Sequence, residues 1–317
     1  IIHTQAEIDR RRANEESSPL LKDSLRKRVR TRLREMRSND RFAMSTRCKL
    51  LVDEVADLSA ELEETSPPHK LTNFAEKVRE AEETIRSAEQ MFPDEADLLQ
   101  IEARLRNILQ QDERALRALE RAWEAGPRGT GTAIRIAKIY ADRGKTGDGI
   151  KLLREALARV PDDKAAHSAL SRHLLECDPM DIGLVIDHAM RSFSAEDQNF
   201  EARFWLAQLL FLKGDKSGAQ DLFAAIDEKA PTFFRPQAPV DDNVITSRLP
   251  RYSGTVASVK ERFFFIRTGS YGRDLFSHMS DLDPAVEVDL REGQFVDFRV
   301  RFNRQGPVAI DVRPTYV

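Results

Sequence analysis

Cysteine is nearly absent. Cys48 and Cys177 are the two cysteines in 317 residues, and they lie too far apart to form a CxxC pair. No disulfide framework can be built from them, and they suit inert thiols in a reducing, cytoplasmic setting. Long apolar runs are missing too: nothing approaches the roughly 18 residues needed to span a bilayer. The opening IIHTQAEIDRRRANEE turns charged within its first ten residues, unlike a secretory leader. An excess of one charge is also lacking. Lys and Arg total 50 against 53 Asp and Glu, a net charge of −3, so overall charge names no partner. At 41% hydrophobic and 32% charged, the balance is that of a soluble, helix-rich chain.

The motifs of catalysis are missing as well. Gly144-Lys145-Thr146 resembles the end of a phosphate loop, but Ile139 stands where the required glycine would be, and no strand precedes it. A turn between helices explains it better. Gly129 and Gly131 form a lone GxG of no greater weight. His167 and His173 are six residues apart, a poor spacing for a shared helix face and a metal pair. There is no nucleophile elbow and no HExxH. We therefore expect no catalytic residue, no metal site and no cofactor. The chain begins at Ile1 rather than methionine, which suggests a piece of a larger protein whose upstream part has its own function.

What is present begins with helices. RFAMSTRCKLLVDEVADLSAELEE places Phe42, Leu50, Leu51, Val55, Leu58 and Leu62 near a helical period. Before it, Leu25 to Arg37 holds six arginines and one lysine against Glu35. This run reads either as a solvated helix face or as a contact for phosphate or an acidic partner. Ser66-Pro67-Pro68 then breaks the pattern and can open the next helix.

The middle of the chain repeats. Pro93, Pro127 and Pro161 are spaced by 34 and 34 residues, and Pro231 follows 70 later. In that register Ala81, Ala115 and Ala219 share a slot with Gly149; Ala88, Ala122 and Ala156 share another; Ala103, Ala137 and Ala207 a third; Gly144 and Gly214 a fourth. Small residues recur where antiparallel helices approach closely, and glycine ends the first helix of a pair. The pattern resembles the tetratricopeptide repeat family from about Leu71 to Pro231, with Tyr140 and Phe223 at its aromatic positions and Trp205 close to one. It is strongest over 130–161 and 200–231 and weakest over 164–199, where about two residues are extra. The first unit reads as a long helical pair formed with the N-terminal segment. The resemblance implies a helical solenoid that docks protein partners.

Residues 232–250, with three prolines and the Asp241–Asp242 pair, read as a linker that packs on the last helix through Phe233 and Phe234. From Arg251 the period becomes two. SGTVASVKE, RFFFIRT, RDLFSHM, QFVDFRVRFN and PVAIDVRP are five strand candidates within 67 residues, which suggests a small closed barrel of the OB type. Alternation puts Phe263 and Phe265 on one face and Phe264 and Ile266 on the other. It likewise puts Phe276 with His278, opposite Leu275 and Ser277. The aromatic face, flanked by Lys260, Arg262, Arg267 and Arg273, can stack bases and approach phosphates.

Here the sequence resembles the cold-shock domain family over Ser253 to Pro314. GTVASVKERFFFIR is similar to that family's first strand and first RNA-binding motif, DLFSHMSDL to its second, and EGQFVDFRV with GPVAIDVRP to its closing strands. The resemblance implies a stacking platform of Phe263, Phe265, Phe276 and His278 with Lys260, Arg262 and Arg273 as flanking cations. Ser258 stands where the family often has tryptophan, Phe264 where it has glycine, and Met279 where it has another ring.

The expected architecture is thus multidomain α + β. A basic helical segment spans 1–66 and tetratricopeptide-like repeats 67–231. A linker spans 232–250 and a cold-shock-like OB barrel 251–317. The expected function is a non-catalytic recognition arm, the sensor or regulatory part of a larger protein. It would bind single-stranded RNA or DNA through the barrel and a protein through the repeats, with no membrane partner. The competing expectation is a protein-interaction and homo-oligomerisation scaffold without a nucleic-acid role.

Overall fold

The computed structural model describes residues 2–37, 39–63, 65–126, 129–177, 180–234, 244–269, 271–283 and 290–315. Pro127, the Asp241–Asp242 pair and residues 235–243 of the expected linker lie outside them. The chain divides into two compact units, Ile1–Gly144 and Lys145–Val317, so the expected boundary between repeats and barrel falls inside the second.

The first unit holds α1 (Ile2–Glu15), α2 (Pro19–Glu35), α3 (Arg41–Ala60), α4 (Pro68–Met91), α5 (Ala96–Ile108), α6 (Asp112–Ala125) and α7 (Thr130–Asp142). Pro68 opens α4, where a missing N–H costs nothing. Helices α3, α4 and α5 share one core, in which Met44, Leu51, Val52 and Val55 meet Ile85, Leu98, Ile101 and Leu105. The small residues Ala81, Ala88, Ala103, Ala115, Ala122 and Ala137 are all buried, which lets the helix backbones approach. Cys48 lies in the same core, where burial pushes its thiol up to about 12 and makes it unreactive at neutral pH. Phe42 shares the periodic pattern of α3 but is 52% exposed, its ring against His3 and the Arg41 guanidinium.

The basic run becomes α2, with Leu25, Val29 and Leu33 buried. Three of the seven cations of the run, Arg26, Arg30 and Arg32, and Lys22 just before it pair within the unit, while Lys27, Arg28, Arg34 and Arg37 are exposed. Lys22 and Arg26 both pair with Asp57, at 2.9 and 2.5 Å, while Arg30 pairs with Glu54 and Arg32 with Asp9. Beside them Asp53, almost fully buried on α3, is held between Arg10 of α1 and Arg104 of α5. Of the two readings of this run, neither anticipated internal pairing on this scale.

The second unit opens with α8 (Thr146–Arg159), α9 (Lys164–Leu175), α10 (Ile182–Met190), α11 (Phe200–Lys213) and α12 (Lys216–Lys229). Asp163, Asp181, Asn199 and Asp215 cap four of these helices, each side chain accepting from a backbone N–H in the first turn. Gly214 ends α11 at φ +98°, a left-handed geometry that strains other residues. The irregular stretch 164–199 has its physical counterpart in the short α10 and a polar interior. His167 is buried, its Nε2 against the Pro161 carbonyl and its Nδ1 2.8 Å from Nδ1 of His188. Trp205, displaced from the usual aromatic slot, donates from Nε1 to Ser171 Oγ at 3.0 Å.

After the short α13 (Val244–Arg248) come β1 (Tyr252–Val259), β2 (Phe263–Arg267), β3 (Leu275–His278), β4 (Phe295–Asn303) and β5 (Gly306–Pro314). All five expected strands form. They make one antiparallel sheet in the order β3-β2-β1-β4-β5, and a bridge from Leu282 to Val312 brings the segment after β3 to the far edge. Val256, Phe264, Ile266, Leu275, Val296, Phe298, Val300 and Val312 fill the inner face. At Gly254 a Cβ would lie 2.6 Å from Ile266 and 2.7 Å from the Arg267 carbonyl, so only glycine lets β1 cross here.

This sheet docks on the last helices. Phe211 of α11 packs edge-on against Phe302 at 5.2 Å and Tyr252 at 6.1 Å, and Phe223 of α12 stacks on Phe302 at 5.7 Å. Arg304 donates to the carbonyls of Asp227, Ala230 and Pro231 at 2.7–2.9 Å and so satisfies the C-terminal end of α12. Of the two phenylalanines expected to anchor the linker, Phe234 packs on Phe200 at 5.9 Å, while Phe233 is 81% exposed.

Candidate nucleic-acid interface

Strand pairing assembles the outer face of the sheet. Between β2 and β3, Phe263 lies opposite His278 and Phe265 opposite Phe276. Three rings result in mutual contact: Phe263–Phe265 at 5.7 Å, Phe263–Phe276 at 5.6 Å and Phe265–Phe276 at 6.0 Å. Their inward neighbours Phe264, Ile266, Leu275 and Ser277 are buried, while Phe276 stays 38% exposed. Such a cluster offers flat apolar surface to solvent and can receive bases at about 1–3 kcal/mol each.

β1 carries a bulge between Val256 and Ser258. The extra residue keeps Val256 on the inner face beside Ile266 and turns Ser258 outward, opposite Phe265. The position next to the cluster is therefore taken by a small hydroxyl.

His278 is outward and exposed, and its ring also holds the backbone. Its Nδ1 accepts from the Ser280 N–H at 3.2 Å and lies 2.7 Å from Ser280 Oγ. It thereby caps the short 3-10 helix Met279–Asp281 through Nδ1, so that Nε2 is not used in the cap. Lys260 and Arg262 are exposed at the turn joining β1 and β2. Arg267 is exposed too, but pairs with Asp274 at 3.2 Å. Arg273 is committed elsewhere: it donates to the Gln305 carbonyl at the β4–β5 turn, and its guanidinium lies 5.7 Å from the centroid of the Tyr271 ring. The geometry thus brings Phe263, Phe265, Phe276 and His278 together and holds Arg273 at that turn.

One outward ring was not anticipated. Phe295, the first residue of β4, is 54% exposed and pairs with Thr255, which pairs on its other side with Arg267. The signal was available in FVDFRVRF: with Val296, Phe298, Val300 and Phe302 inward, Phe295 must point out.

Among the described residues, no group of three or more His, Cys, Asp or Glu side chains is placed to hold a metal ion, and no helix is long and apolar enough to cross a membrane.

A helical-repeat array followed by a five-stranded OB-type sheet with an aromatic outer face is the class these elements define. Residues 252–315 match the 'Cold-shock' DNA-binding domain, and residues 134–176 match the tetratricopeptide repeat. Both are non-catalytic folds. The chain thus combines tetratricopeptide-like repeats with a cold-shock-like domain. Among solved structures, it is similar to Pseudomonas aeruginosa pilF at 12% identity and a TM-score of 0.50, over 72% of this chain and 94% of that one. It is also similar to YrrB, described as a TPR protein with an unusual peptide-binding site, at 12% identity and a TM-score of 0.43, over 64% and 93%. A third is MamA from Desulfovibrio magneticus, at 13% identity and a TM-score of 0.41, over 56% and 94%. These likenesses concern the fold alone. No curated protein matches the chain.

Proposed function

We propose that this chain is a recognition arm whose C-terminal sheet binds single-stranded nucleic acid, while its helical repeats dock a protein. In this reading it is a cytoplasmic sensing module. The observation that carries it is the contact of Phe263, Phe265 and Phe276 on an outward face, opposite a buried aliphatic one. Bases stack on the three rings, His278 Nε2 meets a base edge or sugar, and Lys260 and Arg262 neutralise phosphates at one end.

The electrostatics set an expectation for the assay. Arg267 is paired with Asp274, Arg251 with Asp297 and Asp311, and Arg313 with Asp283. Stacking then dominates, and salt dependence is shallow. With two phosphates neutralised, the slope of log K against log salt is about −1.4 for a single strand. Titration of a fluorescent single-stranded RNA and DNA oligonucleotide at several salt concentrations measures it. Phe265→Ala weakens binding about tenfold or more. The absence of binding to either polymer sinks the proposal. The self-paired cations favour one second reading, a protein-contact and oligomerisation face. That reading gains if the oligonucleotide is ignored and the chain self-associates through this sheet.

A further inference from the structure

We propose that Phe295 is a separate stacking platform, which takes a base of the same strand beyond the three-ring cluster. This rests on the single-stranded nucleic-acid reading above and deepens it: the ligand path crosses β1 and ends on β4.

The register gives the layout. Phe265 lies opposite Ser258 on β1, and Phe295 lies opposite Thr255 on the other edge of β1. Two strand spacings of about 4.8 Å and an offset of two residues counted on β2, from Phe265 to the Arg267 that faces Thr255 (β1 is bulged between), about 6.8 Å, separate Phe265 from Phe295 by about 12 Å. Rings within the cluster are 5.6–6.0 Å apart, so Phe295 cannot share their base. The outward residues between them are Ser258, Thr255 and Arg267, which lies opposite Thr255. Ser258 and Thr255 are short, and their hydroxyls can meet sugar, phosphate or base edges, while the exposed Arg267, paired with Asp274, flanks the path.

The alternation itself selects the occupant. An interface for another protein's core presents contiguous apolar surface. Here an aromatic cluster, a floor of two hydroxyls flanked by the exposed Arg267, and a further aromatic ring follow one another. A nucleic-acid strand has that rhythm, with flat apolar bases spaced by a polar backbone. Phe295 also has little to do for the fold: its inward neighbours Val296 and Phe298 are buried, while its own ring is 54% exposed.

The test uses the full chain and fluorescein-labelled oligouridylate and oligothymidylate of about three and about ten nucleotides, one below and one within the range of OB-fold footprints. The expected result is that Phe295→Ala weakens the longer probe at least about fivefold, leaves the shorter within about twofold, and shows unchanged thermal unfolding. Phe295→Trp restores the longer probe's affinity. Phe265→Ala weakens both lengths. If Phe295→Ala matches the parent chain at both lengths while Phe265→Ala is impaired, the inference fails and the broader reading stands. Equal weakening at both lengths also overturns it, because Phe295 would then belong to the cluster's own site. If the unsubstituted chain binds neither polymer, the reading and the inference fall together.

Discussion

The arginines of α2 and the phenylalanines of β2 are the two most conspicuous runs in the chain, and they meet different fates. In α2 the cations spread around a helix: Lys27, Arg28 and Arg34 are exposed, and for the others neighbours distant in sequence decide the outcome. Arg26 reaches Asp57, Arg30 reaches Glu54 and Arg32 reaches Asp9. In β2 a period of two decides it locally, with Phe264 fully buried and Phe263 and Phe265 outward. A run of like residues in a strand is therefore two features, one per face. The same run in a helix is a set of separate questions, some answered by another helix and the rest by solvent.

The strongest way to break this contrast is to truncate across the face boundary. Phe264→Ala removes a fully buried ring and is expected to destabilise the sheet by about 3–5 kcal/mol. Phe263→Ala, on the outer face, should cost about 1 kcal/mol or less. Because the chain holds two compact units, a single global midpoint would blur the effect. Amide hydrogen exchange in β1 to β5 reads it locally. Equal losses for the two variants would mean that the faces are not distinct.

The helical side of the contrast is tested at Asp53. This carboxylate is almost completely buried between Arg10 and Arg104. Asp53→Asn keeps the shape but removes the charge shared by Arg10 and Arg104; because Arg10 still pairs with Glu7 at 2.8 Å, the loss is about 2 kcal/mol, below that of an uncompensated buried charge. Arg28→Ala, on an exposed position of α2, should stay within about 0.5 kcal/mol. Exchange in α1, α3 and α5 separates them. A silent Asp53→Asn would show that the internal ion pairs hold nothing together.

These expectations explain what could be read in advance. Alternation gave every strand and the correct face for Phe263, Phe264, Phe265, Phe276 and His278. The recurrence of small residues at a 34-residue spacing gave the helical pairs. What escaped was decided by contacts across long sequence separations. Arg273 was assigned to the ligand by its nearness to the rings in sequence, yet the β4–β5 turn supplies a carbonyl that holds it. Phe233 and Phe234 are adjacent, but only Phe234 finds a ring, on Phe200. Phe295 obeyed the alternation that revealed the other rings and was overlooked because it opens its strand.

Lys216 is a third kind of case, a cation surrounded by rings instead of carboxylates. Its Nζ sits 3.3 Å from the Phe211 ring centroid and 5.0 Å from that of Tyr252, where α12 meets the sheet. Burial lowers its pKa to about 8 from the ordinary 10.5. Below about pH 8 the ammonium is charged in both the folded and the unfolded chain, so the folded state bears the whole desolvation cost. Between about 8 and 10.5 the unfolded chain holds a proton that the folded one has released, and this group makes stability rise with pH. The site is only half-buried and the rings attract the cation, so the effect is about 1 kcal/mol. Lys216→Met should therefore be at least as stable as the parent chain at neutral pH, and its advantage should shrink as pH approaches 10. Subtracting the two melting profiles cancels groups remote from the site, and a Tyr252→Phe background removes the hydroxyl that Lys216 Nζ reaches at 3.4 Å. If the variant is less stable at neutral pH, ring–cation attraction outweighs desolvation at this junction. The lysine would then serve the docking of sheet on helix as the α2 arginines serve theirs.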